Sequence, residues 1–140
     1  MTGRANMRMG WSTLVLAAAM TGGCATQPPA PASAPMPIAV QSVRLTAADH
    51  YVDLRYRVLD PAAAQQVLGP GVHPRLINEA NGAVMAVPTT AKLGSLRQTQ
   101  AAQRPGHTYF VMFINSGALQ PGSRVTAELG SLRIPHLLVE

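Results

Sequence analysis

Between Tyr51 and Leu59 the chain alternates: Val52, Leu54, Tyr56 and Val58 fall on one parity, Asp53, Arg55 and Arg57 on the other. Successive side chains of a strand point to opposite faces, so this period of two puts the apolar set on one dry face and the charges on a wet one. A helix would scatter the same residues around its circumference. The stretch therefore demands a sheet, and a second layer to cover its apolar face.

Other segments supply that layer. Ile38–Thr46, Arg75–Asn78, Ala83–Val87, Arg124–Leu129 and Leu132–Val139 each read as strands bounded by turn residues. Thr108–Asn115 is apolar on both parities, with Phe110, Met112 and Ile114 on one and Tyr109, Val111 and Phe113 on the other, which predicts a central strand buried on both faces. Asn81-Gly82 supplies the positive φ values of a hairpin turn. Asp60-Pro61 reads as an N-cap and first helical position, Ala62–Leu68 as a short helix, and Gly69-Pro70-Gly71 as its stop. Roughly seven or eight short strands with one short helix predict an all-β fold, an immunoglobulin-like antiparallel β-sandwich, with a small β-barrel as the alternative.

One octapeptide occurs twice. Thr90-Ala91-Lys92-Leu93-Gly94-Ser95-Leu96-Arg97 returns as Thr126-Ala127-Glu128-Leu129-Gly130-Ser131-Leu132-Arg133, changed only at Lys92 and Glu128. There is no third copy, so no solenoid follows. Leucines three apart break strict alternation, which predicts a shared bend at each Gly-Ser that returns both leucines to the core. Lys92 and Glu128 could also pair across the copies.

The N-terminal region has a different character. Arg4 and Arg8 precede Trp11–Met20, ten residues without a charge, and Thr21-Gly22-Gly23 leads to Cys24, the only cysteine. A membrane span needs about 20 apolar residues, so this run reads as a removable export signal. It resembles the signal of a bacterial prolipoprotein, cut before a cysteine that receives lipid (palmitate among its acyl chains), although Thr21 stands where that family usually has Leu. The resemblance implies a signal peptide over 1–23, lipidation at Cys24, and anchoring in the cell envelope facing the periplasm. Ala25 rather than Asp after the cysteine points to the outer membrane rather than the inner. An ordinary secretory signal cut elsewhere, near Ala17-Ala18-Ala19, would instead leave Cys24 as a free thiol. With no second cysteine, an exported chain cannot use it in an internal disulfide.

Residues 24–37 join the two regions. Ala25–Pro37 holds five prolines and four alanines in thirteen positions, a stiff spacer of ~40 Å if extended as polyproline. Residues 38–140 remain for one β-sandwich domain with one core. Loss of Arg4 and Arg8 leaves nine basic residues against six acidic ones, scattered and without interleaved aromatics, which argues against nucleic acid as a partner.

Chemistry is sparse. His50, His73, His107, His136, Met36, Met85 and Met112 are the stock for a metal such as copper, but no two sit at a ligand-like spacing, and Met112 reads as core filler. His107 and Met85 are one pair that could meet across strands. Ser95 and Ser131 lack the second glycine of a nucleophile elbow, and Asp49-His50 are adjacent, so a strand would point them apart. No metal site, cofactor or enzyme activity is assigned. Lys92, Arg97 and Arg104 fall in one long connection and are the candidate residues for an anionic ligand or partner.

YVDLRYRVLDP (Tyr51–Pro61), LRQT (Leu96–Thr99) and TYFVMF (Thr108–Phe113) resemble a group of small uncharacterised exported bacterial proteins. That likeness implies a shared fold and transfers no functional residue. The expected function is a membrane-tethered periplasmic lipoprotein acting as a binding or structural module of the envelope, partnered with the membrane through its lipid and with an envelope protein or anionic ligand. The alternative is a periplasmic copper-handling module.

Overall fold

Val52, Leu54, Tyr56 and Val58 are each exposed by 1 % or less, while Arg55 and Arg57 stay in water, so the alternating segment forms the strand its pattern demands. The computed structural model describes residues 35–98 and 103–140; the signal segment, Cys24 and most of the spacer lie outside the described residues. In chain order the elements are β1 (Ile38–Thr46), β2 (Tyr51–Val58), α1 (Pro61–Leu68), β3 (Arg75–Asn78), β4 (Val84–Ala86), β5 (Thr89–Thr90), β6 (Gly94–Ser95), β7 (Thr108–Ile114), β8 (Arg124–Leu129) and β9 (Leu132–Leu138).

Two antiparallel sheets result, ordered β1-β2-β7 and β4-β3-β8-β9, with β5 and β6 as a separate two-stranded ribbon. Lettered along the chain as A, B, C, C′, E, F and G, the seven main strands pair as A-B-E and C′-C-F-G, the partition of an immunoglobulin-like sandwich. The sheets do not close into a barrel.

Register explains the core. Across β2 and β7, Val52 faces Phe113, Leu54 faces Val111 and Tyr56 faces Tyr109. On the other sheet Leu76 lies opposite both Met85 and Ala127, and Leu129 opposite Leu132. These side chains join one apolar cluster, to which α1 adds Ala64, Val67 and Leu68. The helix begins where Asp60 Oδ1 accepts from the N–H groups of Ala62 and Ala63, and it stops at Gly69, whose N–H donates to Gln65 O. A Cβ at Gly69 would collide with the backbone oxygen of Gln65, so this stop needs glycine.

Both edges of the first sheet are covered. Glu140 bonds to β1 through Val43 O and Leu45 N–H at 2.8 and 3.0 Å, and Leu96–Gln98 bonds to β7 through Met112 N–H and Phe110 O at 3.0 and 3.1 Å. At one end Ala47, Ala48 and Asp49 take three successive left-handed conformations, with φ of 51°, 52° and 64°. Such residues pay steric strain, so something must hold them. The buried Asn115 amide does so: Nδ2 donates to Asp49 O and Leu119 O, Oδ1 accepts from Leu119 N–H, and the Asn115 N–H donates to His50 O.

Several expectations are corrected. β7 is not a central strand: it ends the β1-β2-β7 sheet, with β2 in the middle. It is buried on one face only, Phe110 and Met112 being half-buried and Ile114 45 % exposed, because no layer among the described residues covers that side of the sheet. Met112 is therefore not core filler, whereas Met85 is, at 2 % exposure. The repeat does not send both leucines of each copy inward, since Leu93 is 76 % exposed at the tip of the β5–β6 ribbon while Leu129 is fully buried. Nor does Lys92 pair with Glu128, whose carboxylate takes Arg75 and Arg133 instead.

What the copies share is a left-handed glycine, with φ of 67° at Gly94 and 60° at Gly130, each serving a hairpin. Gly94→Val and Gly130→Val should each destabilise by roughly 1–3 kcal/mol, since a β-branched residue is strained at positive φ. Gly130→Val should cost more, because its Cβ also meets Val67 and Val72 at 3.4 Å while that of Gly94 meets nothing. Urea midpoints of both variants check the order; equal midpoints for wild type and Gly94→Val would show that this turn relaxes.

Candidate functional site

The three basic residues of the long connection go to different places. Lys92 is exposed in the β5–β6 turn. Arg104 is exposed beside a shallow cavity of about 330 Å³ lined also by Gln98, His107, Thr108 and Tyr109, and its backbone N–H donates to the Tyr109 hydroxyl at 2.9 Å. Arg97 lines another cavity, of about 240 Å³. Arg97 and Arg104 thus line separate cavities.

Arg97 is the unusual one. It lies in the short capping segment of β7, opposite Val111 in an antiparallel bridge. Residues paired this way project to the same face, and Val111 projects into the core, so Arg97 enters the end of the sandwich. Its Nη2 donates to Gly69 O, the C-cap of α1, over a long 3.4 Å. The helix C-terminus carries partial negative charge, which favours a cation there. Nε and Nη1 are out of solvent and have no hydrogen-bond partner among the described residues. Burial lowers the Arg97 pKa, opposed by the nearby Tyr56 phenol. Burial, then Tyr109, pushes the Tyr56 hydroxyl up to about 12, against the pull of Arg97. The cation therefore sits in a poorly solvated corner with most of its donors unused.

Around it the cavity is mixed. Val72, Pro74 and Val87 give apolar walls; His73, Thr89 and Ser95 bring polar groups. Arg75 reaches the same cavity but is held by Glu128 at 2.8 Å.

Two further clusters lie away from Arg97, and the first of them has no signature in the sequence. On the outer face of the second sheet, Glu79 Oε1 accepts from the Thr126 hydroxyl and the His136 N–H, each at 2.8 Å, and Oε2 lies 3.1 Å from His136 Nδ1. His136 has a φ of 61° inside β9, so the carboxylate fixes a strained residue at a strand irregularity. Asp49 and His50 line an open cavity of about 550 Å³ beside Asn115, on the left-handed turn. Among the described residues, no three of His, Cys, Asp and Glu gather as metal ligands do. Met85 belongs to the second sheet and the exposed His107 precedes β7 of the first, so strand pairing does not join that pair. No family model, curated protein or solved structure matches the chain.

The Glu79 contacts predict an acid sensitivity. Hydrogen bonds from the His136 backbone and the Thr126 hydroxyl lower its pKa to about 2, against an ordinary 4.5. A carboxyl with a depressed folded pKa stabilises the fold above its unfolded pKa, and that contribution fades as pH falls from about 4.5 towards 2. Glu79→Gln should lower stability at neutral pH and flatten the decline of the denaturation midpoint across that window. An unchanged pH slope would assign the acid sensitivity to other groups.

Proposed function

We propose that this chain is a membrane-tethered periplasmic lipoprotein whose β-sandwich is a binding module of the cell envelope, with Arg97 as the principal group of its site. The tether rests on the order of the N-terminal features: two arginines, an uncharged run, Gly22-Gly23, then Cys24 and a proline-rich spacer. The binding reading rests on a single observation, a guanidinium whose Nε and Nη1 are out of solvent and unpartnered beside a cavity. Unmade hydrogen bonds of a buried cation cost stability. A residue that lowers stability and lines a cavity is what a site retained for a ligand looks like.

The competing reading makes Arg97 a structural cap on α1, and the sign of one substitution separates the two. Arg97→Met keeps length and apolar volume while removing the unused donors. In the binding reading it raises the thermal midpoint, with a gain of ~1 kcal/mol; in the structural reading it lowers the midpoint. For the tether, Cys24→Ser should shift the folded domain from the membrane fraction to the soluble periplasmic fraction and abolish fatty-acid labelling. Unaltered membrane association of an unlabelled protein would overturn it.

A further inference from the structure

We infer that the Arg97 cavity takes the carboxylate of a small organic acid with an apolar body, a ligand class that rests on the binding reading above. The charge of the site selects for one negative charge. Arg97 has no carboxylate partner among the described residues, whereas Arg75, the other arginine lining the cavity, is paired with Glu128, which Arg133 also holds. A phosphate dianion asks for more positive charge than one guanidinium, and the second arginine at the cavity, Arg75, already spends its charge on Glu128. A carboxylate asks for less. Its two oxygens match two parallel N–H donors of one guanidinium, the geometry that gives Arg its advantage over Lys.

The walls select the rest of the molecule. Val72, Pro74 and Val87 offer apolar surface, and the Thr89 and Ser95 hydroxyls stand at the rim of the ribbon. At about 240 Å³ the cavity falls below the usual range for drug-sized ligands, so the body is small. Entry would draw the guanidinium from its long bond to Gly69 O, exchanging a 3.4 Å contact for charge-assisted bonds and giving Nε or Nη1 a partner. The same carboxylate chemistry occurs on a free short acid and on the end of a peptide.

Calorimetric titration of the full lipidated protein in detergent tests this, with four probes: pentanoate, N-acetyl-Ala-Val, its C-terminal amide, and inorganic phosphate. The expected result is binding of pentanoate or of N-acetyl-Ala-Val, with the amide and phosphate weaker by roughly tenfold or more, the value of one charge-assisted pair. Preference between the two carboxylates identifies the source as free acid or peptide end. Arg97→Met should weaken the bound carboxylate by the same factor, and Arg97→Lys by less. Tighter binding of phosphate than of either carboxylate would overturn the ligand class and leave the binding reading standing. Absence of binding by all four probes would overturn both, as would carboxylate binding that Arg97→Met leaves unchanged.

Discussion

The fold depends on a single dry seam between two sheets, and β2 with β7 forms half of it. Tyr56 stacks on Tyr109 with ring centroids 6.0 Å apart, and Leu54 and Phe113 are fully buried in the same layer. A fully buried side chain of this size contributes about 1.5–3 kcal/mol, whereas an exposed ion pair contributes roughly 0–1. Arg44–Glu140, with both side chains more than half exposed, therefore adds little as a charge pair. The Glu140 backbone matters more, because it satisfies β1 donors and acceptors that would otherwise form an open edge.

Edge protection recurs around the molecule. Leu96–Gln98 closes the far edge of the first sheet, and in the second sheet Pro135 and the left-handed His136 break the regularity of β9. A broken strand is a poor template for another chain. The Glu79 carboxylate makes that break affordable by collecting the His136 N–H, its Nδ1 and the Thr126 hydroxyl. The faces differ too. The outer side of the second sheet carries the Arg75–Glu128–Arg133 ion triad, whereas that of the first carries Phe110, Met112 and Ile114 in part exposed.

Much of this architecture was legible where local chemistry decides it. Alternation marked β2, Asp60-Pro61 and Gly69 bounded α1, and Asn81-Gly82 marked the β3–β4 hairpin, each through a rule that acts within a few residues. What was not legible needed tertiary context. An apolar strand has the same sequence pattern whether one face or two are covered, so the pattern of Thr108–Asn115 does not reveal that only one face of β7 is buried. The Glu79–Thr126–His136 cluster joins residues 47 and 57 positions apart, with no spacing to reveal it. At the site, charge in one connection pointed to Arg97, but nothing local separated it from Lys92 or Arg104.

The two copies of the octapeptide show why. Both place a left-handed glycine in a hairpin and an arginine three residues later, yet Arg133 turns outward to Glu128 while Arg97 turns inward behind Val111. The difference comes from what each hairpin feeds. Leu132–Arg133 continues directly into β9, beside β8, where Arg133 faces Glu128 across the strands. Leu96–Arg97 leaves the ribbon to cap β7 on the opposite sheet, so its parity is set by Val111 instead of by its own hairpin. One sequence thus yields a surface ion pair in one setting and a half-buried, under-bonded cation in the other. Packing alone would favour an apolar residue at position 97, since among the described residues only one of its nitrogens finds a partner and that one over 3.4 Å. On the binding reading proposed above, that arginine is a donor set which the α1 C-cap holds in place until an oxyanion provides better partners.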